Sequence, residues 1–277
     1  MPFATSILVP TDFSSKSEIA IRYACEIART TSTELHFLNV IEPPYDFPSR
    51  AEEILQAQKE EHAEKLTRLI DELHSVDDYR SIKIKGQVEI GKVGYTISHV
   101  AEEKGFDLIT IGLGGEPHLK KALYGSITNN LLLDSTVPVF AISKRLDYKD
   151  PKYLIFSTAL REGDIRQIKR MRNFARDLGV SLRIIHIREK GKAKPQLSLD
   201  EFQKKVQGAL KDDSIQVEEY ESTSFVEGVT TFIEDNKNSI LVMTRYKKKF
   251  LEWLLSDSTV RSVAQIAAVP LLMLPND

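Results

Sequence analysis

Short apolar runs alternate with amphipathic stretches along the chain. Ser6-Ile7-Leu8-Val9-Pro10 is an apolar run of the kind that a sheet covers on both faces. Behind it Ile19, Ala20, Tyr23, Ala24, Ile27 and Ala28 fall on one helical stripe. Ser15, with Glu18 three residues on, predicts a capping box at the start of that helix. Glu34-Leu35-His36-Phe37-Leu38-Asn39-Val40 then predicts a second strand.

The same order returns later in the chain. Tyr153-Leu154-Ile155-Phe156 predicts a strand, Ile165, Ile168, Phe174, Ala175 and Leu178 a helix, and Ser181–Ile187 the next strand. Asp107–Ile111 and Ser239–Met243 correspond as late strands, and a Val-Pro pair opens a final apolar strand behind each, Val137-Pro138 and Val269-Pro270. The offset is 147 residues from Ser6 to Tyr153 but 132 from Asp107 to Ser239, so the second copy is shorter in between. The acidic helical stretch Ala51–His74, with a briefer counterpart at Ser198–Leu210, accounts for the loss. Strands alternating with helices predict parallel sheets joined by right-handed crossovers. The chain therefore reads as two tandem α/β domains, 1–147 and 148–277, divided at the polar Leu146–Lys152.

Composition narrows the classes. With 42% hydrophobic and 28% charged residues in 277, a folded core is expected rather than disorder. The net charge of −2 argues against a general nucleic-acid binder. It divides as −6 over residues 1–147 and +4 over the rest, an asymmetry that favours docking of the halves. No long apolar span or secretory leader is read, and the lone Cys25 allows no internal disulfide; a cytoplasmic location away from membranes is expected. Cys25 lies on the apolar stripe of the first helix and reads as a small core residue.

Ligands of doubly wound sheets sit beyond the carboxyl ends of the strands, where strand order reverses. After the first strand comes Pro10-Thr11-Asp12-Phe13-Ser14; after the fourth comes Gly112-Leu113-Gly114-Gly115, then Tyr124-Gly125-Ser126-Ile127-Thr128 opening another helix. Glycines let backbone N–H groups approach an anion, and a helix starting near Ser126 aims its free N–H groups there. Ser126 and Thr128 can donate to phosphate oxygens, Asp12 can accept from ribose hydroxyls, and Val40 can flank a base. Asp12 also has a plainer reading, as a helix N-cap.

The spacing Gly112-x2-Gly115-x9-Gly125-Ser126 resembles the ATP-binding signature of the universal stress protein family. ILVPTDFS at the start, NVIEPP after the second strand and VPVFAI near the end of the first copy are similar to the same family, and the likeness covers a tandem pair of its domains. The resemblance implies, in each half, a five-stranded parallel sheet with helices on both faces, of the adenine-nucleotide alpha hydrolase-like kind. It implies that Asp12 contacts the ribose and Val40 the adenine. Pro10, Thr11 and Ile111 would line the adenosine pocket, while Gly112, Gly115, Gly125, Ser126, Ile127 and Thr128 would hold the phosphates. Mg²⁺ is expected on those phosphates rather than in a carboxylate cage. Family members often pair through the final strand; a tandem chain can do so internally, as a pseudo-dimer, and two chains can pair further.

The second copy departs from the motif. Gly112 becomes Thr244, Gly115 becomes Lys247, Gly125 becomes Asp257, and Asp12 aligns with Ala159; Ser126 alone survives, as Ser258. A carboxylate at Asp257 repels phosphate, so this half is expected to bind no ATP. Lys247-Lys248-Lys249 reads as a solvated basic loop, Trp253 as a buried residue, His118 as an exposed loop residue, and the six histidines show no zinc spacing. No Walker loop, dinucleotide fingerprint or G-x-S-x-G elbow occurs. Nor does the Ser-Gly-Gly-x-Asp-Ser loop of adenylating enzymes or the His-Ile-Gly-His of nucleotidyl transferases. With no general base or catalytic lysine in the motif segments, a regulatory ATP-binding protein with an unnamed protein partner is expected rather than an enzyme. Two alternatives stay open: a slow ATP-hydrolysing or phosphoryl-transfer enzyme, and an interaction module with vestigial pockets.

Overall fold

The computed structural model describes residues 2–43, 51–113, 126–143, 146, 148–191, 195–245 and 269–275. The chain divides into two compact units, the first drawn from Ala4–Gly114 and Tyr124–Lys144, the second built on Arg145–Asp277. In the first unit the order is β1 (Ser6–Pro10), α1 (Ser15–Thr31), β2 (Glu34–Ile41), α2 (Ala51–Ser75), β3 (Ile84–Ile90), α3 (Val93–Glu103), β4 (Leu108–Leu113), α4 (Ser126–Asp134) and β5 (Val139–Ser143). A short 3-10 turn at Asp77–Tyr79 separates α2 from β3.

The strands of this unit lie in the order β3-β2-β1-β4-β5, and every pairing is parallel. The chain moves outward from β1 to β3, then returns to β4 and moves the other way. With right-handed crossovers that reversal puts α1 and α2 on one face and α3 and α4 on the other. The contacts agree: α1 and α2 both meet the 3-10 turn, and α3 packs on α4. Strand order reverses between β1 and β4, so the crevice expected of such folds opens at their carboxyl ends. Ile7, Leu8, Val9, Leu108 and Ile109 have no exposed surface, as two-sided cover requires.

The second unit repeats the plan with β6 (Tyr153–Ser157), α5 (Glu162–Leu178), β7 (Ser181–Glu189), α6 (Leu199–Leu210), β8 (Val217–Ser222), α7 (Phe225–Asp235), β9 (Ser239–Thr244) and β10 (Leu271–Leu274). Its order, β10-β9-β6-β7-β8, is the same permutation, again parallel throughout. The shortening falls where the two offsets place it: α2 has 25 residues and α6 has 12.

The capping box expected at Ser15 and Glu18 does not form. The N-cap is Ser14, whose side chain makes no cap hydrogen bond; its hydroxyl donates to Asp12. Cys25 is fully buried on α1, and burial, with Glu26 beside it, pushes its thiol up to about 12, so it packs as a hydrophobe. Among the described residues no helix is long and apolar enough to cross a membrane, and no cluster of three His, Cys, Asp or Glu could hold a metal ion.

Candidate functional site

The loop leaving β1 is tied from several directions. Thr11 N–H continues the ladder to the Leu38 carbonyl (2.9 Å), and Thr11 Oγ1 accepts from Phe13 N–H (3.1 Å), closing a tight turn. That turn holds Phe13 at φ 59°, the left-handed region that a bulky side chain seldom occupies. Asp12 is exposed at the turn's outer edge. Its Oδ1 accepts from Ser14 N–H (3.1 Å), from Ser17 Oγ (3.2 Å) and from Ser14 Oγ, whereas Oδ2 has no partner among the described residues. Asp12 is thus an Asx-turn residue two positions ahead of the cap, not the cap itself. Partial burial raises its carboxyl, but the donations from Ser14 and Ser17 outweigh that and hold it below the ordinary aspartate range.

Pro10 and Thr11 are buried at the end of β1, and Ile111 is buried in the neighbouring β4. Val40, half-buried one residue from the end of β2, pairs with Glu89. The structure thus gathers Pro10, Thr11, Asp12, Val40, Ile111 and Gly112 at the carboxyl edge of three adjacent strands. Gly112 has a packing reason of its own: a Cβ there would lie 1.9 Å from the Lys16 carbonyl oxygen in the first turn of α1. Only glycine lets that helix start so close to β4.

α4 begins at Ser126, as the sequence predicts, with Ile127 half-buried and Thr128 buried in its first turn. A Cβ on Gly94, in the first turn of α3, would stand 3.9 Å from Ile127, so the starts of α3 and α4 adjoin. Gly115 and Gly125 lie outside the described residues, as do the Ser126 side chain, His118, the Lys247–Lys249 run, Trp253, Asp257 and Ser258.

Sequence reasoning missed four residues that build the loop. Ser17 shares its hydroxyl between Asp12 Oδ1 and the Ser14 carbonyl. Phe13 carries the left-handed turn. Asn39, almost wholly buried, donates from Nδ2 to the Thr11 carbonyl (2.8 Å), and His62 on α2 meets Asn39 Oδ1 through Nδ1 (2.7 Å). A polar Asn inside an apolar strand was the available signal, since a buried amide needs partners.

The second unit keeps the turn and changes its chemistry. Leu160, 147 residues after Phe13, is also left-handed (φ 53°), and Leu160 N–H donates to Thr158 Oγ1 (2.9 Å) as Phe13 does to Thr11. Where Asp12 would fall stands Ala159. The carboxylate has moved to Asp164, the counterpart of Ser17, where it is completely buried. Its Oδ2 accepts from Thr158 Oγ1 (2.7 Å), Ala159 N–H (3.0 Å) and Arg161 N–H (3.4 Å), anchoring the start of α5. The Leu160 carbonyl accepts from Leu197 N–H (3.2 Å), so a later segment lies over this turn. Thr244 stands where Gly112 does in the first unit, and its buried Oγ1 has no hydrogen-bond partner among the described residues.

Comparison with known proteins fits this picture. Residues 4–143 match the model of the universal stress protein family. Universal stress protein MJ0577 of Methanocaldococcus jannaschii is 27% identical over 158 residues, covering 50% of this chain and 94% of that protein. A universal stress protein from Archaeoglobus fulgidus has the same fold over 99% of both chains, with a TM-score of 0.76 at 19% identity. Another solved relative, 22% identical over 50% of this chain and 97% of its own with a TM-score of 0.39, is a universal stress protein in complex with cAMP. By the family match over its first half, the chain belongs to the universal stress protein family.

Proposed function

We propose that the first half binds ATP at the carboxyl edge of β1, β2 and β4, that the second half does not, and that the protein acts as a cytoplasmic nucleotide-responsive regulator. The contrast between the two carboxylates carries this reading. Asp12 is exposed with Oδ2 uncommitted, while Asp164 is buried with Oδ2 accepting three donors. A ribose offers two adjacent hydroxyl donors, and an ionised, prepositioned carboxylate is the acceptor suited to them.

In this reading Asp12 takes the ribose, Val40 and Ile111 flank the adenine with Pro10 and Thr11, and Gly112, Gly115, Gly125, Ser126, Ile127 and Thr128 receive the phosphates. The N–H groups of the first turn of α4 are a donor set suited to them. Mg²⁺ would ride on the phosphates, neutralising charge there. Asp12, the one carboxylate of this set, is assigned to the ribose, which leaves no general base at the phosphates; regulation rather than turnover is therefore assigned, and any hydrolysis would rest on phosphate electrostatics alone. The duplicated plan supports an internal pseudo-dimer of domains, with a partner protein reading the nucleotide state.

Isothermal titration of nucleotide-stripped protein with ATP and Mg²⁺ tests the reading. One site per chain, abolished by Gly125→Asp, is the expected result. Two sites would show that Lys247 and Asp257 leave the second pocket open. No heat up to millimolar ATP would overturn nucleotide binding in favour of an interaction module, and metal-dependent phosphate release above a protein-free control would make the protein an enzyme.

A further inference from the structure

The Asp12 turn is held by a helix as well as by its own strand. The Thr11 carbonyl can only accept, so the Asn39 amide must turn its nitrogen towards it (2.8 Å) and its oxygen towards His62. Asn39 Oδ1 is then an acceptor, and His62 Nδ1, 2.7 Å away, must carry the proton. The His62 ring also meets the Phe13 ring edge-on, with centroids 5.7 Å apart at 89°. α2 therefore touches the loop at two points: beside Asp12, through Phe13, and beside Val40, through Asn39.

The second unit supplies the contrast. His186 occupies the Asn39 position and meets the Thr158 carbonyl directly (3.0 Å). Among the described residues nothing on the shorter α6 bonds to it. The link from strand end to helix is present in the half whose loop carboxylate is uncommitted and missing from the half whose carboxylate is buried.

We infer that His62 is a positioning residue: from α2 it holds the turn bearing Asp12 and the strand end bearing Val40, so the adenosine end of the site is assembled only while α2 is docked. The inference rests on the nucleotide reading above and extends it, because it makes α2 the element through which occupancy is felt. Hydrogen bonds of this kind contribute modestly, so positioning is worth about three- to tenfold in affinity.

The test uses the full-length chain with His62→Ala, His62→Asn, whose amide nitrogen stands where Nδ1 does and restores the donor, and Arg68→Ala as a control on an exposed part of the same helix. ATP–Mg²⁺, adenosine and inorganic tripolyphosphate are titrated into each, and folding is checked by thermal melting. His62→Ala should weaken ATP and adenosine by the same factor and leave tripolyphosphate unchanged. His62→Asn should recover most of the loss, and Arg68→Ala should lose nothing. Equal weakening of tripolyphosphate, or no weakening of adenosine, would overturn the inference. A ligand-free readout separates it from the nucleotide reading: nitrogen-15 spectra should show His62 protonated at Nδ1, and the amides of Thr11–Ser14 should shift in His62→Ala. If the wild type binds no adenine compound, the nucleotide reading falls and the link to α2 is judged on those spectra alone; unmoved amides would overturn that too.

Discussion

Asp12 holds its negative charge to lower pH than a free aspartate, and the cause is local: three donations from two serines offset the cost of partial burial. A carboxyl lowered in the folded state adds stability that is complete above the unfolded pKa, near 4, and is lost as pH falls through the folded value. Asp12→Asn should therefore lose that contribution near pH 7 and converge on the wild type as pH falls below about 4, flattening the acid limb, as denaturant melts across that range would show. Ser17→Ala should move the carboxyl back towards the ordinary range, visible in the carboxyl carbon-13 titration of Asp12. Gly112 makes a different kind of demand. A methyl group 1.9 Å from the Lys16 carbonyl oxygen cannot be relieved by a side-chain rotation, because the obstacle is backbone. Gly112→Ala should cost about 1–3 kcal/mol in chemical denaturation with or without nucleotide, so lost binding in that variant would not by itself locate a phosphate contact.

At the scale of elements, the two carboxylates do different work. Asp12 fastens a turn at the surface, whereas Asp164 satisfies Thr158, Ala159 and Arg161 in the interior. Asp164→Ala takes the acceptor from the buried Thr158 hydroxyl and unfastens the start of α5, and should cost about 2–4 kcal/mol, against less than about 1 kcal/mol for Asp12→Ala; equal losses would refute the distinction. Buried elements were legible in the sequence: β1 spans the Ser6–Pro10 run residue for residue, and β2, β6, β7 and β9 extend the expected strands by one or two residues. The parallel, doubly wound class, and with it the expectation of a site beyond the ends of β1 and β4, followed from the alternation of strands and helices, whereas the strand order was seen only in the structure. β3 and β8 were not legible. β3 reads IKGQVEI and β8 reads VEEYES, with polar residues where one face meets water, and no apolar run marks them. On β8 the charges are matched across the ladder, since Glu218 accepts two bonds from Arg183 (2.8 and 2.6 Å), and Glu219 and Glu221 accept from Arg188. The Asn39–His62 link escaped for another reason: its residues are 23 apart in sequence and meet only once α2 docks.

Across the whole molecule, nucleotide should act on one half. A ligand at 100 times its dissociation constant adds about 2.7 kcal/mol to whatever it binds, so ATP should slow hydrogen exchange along β1, α2 and β4 while the same experiment finds 153–191 unchanged. Protection of both halves would refute the asymmetry. The single tryptophan, Trp253, belongs to the second half by sequence, so its emission during unfolding reports that half while exchange reports the other. The displaced carboxylate also has a historical consequence. Restoring aspartate at Ala159 would bring a second negative charge to a turn whose backbone and hydroxyl donors already serve Asp164, and removing Asp164 first would unfasten α5. Each single step therefore carries a cost, so the second half has no downhill route to the form of its sibling. With an internal anchor where its sibling has an open carboxylate oxygen, it is held by epistasis, and its surface can change without the sibling's carboxylate appearing.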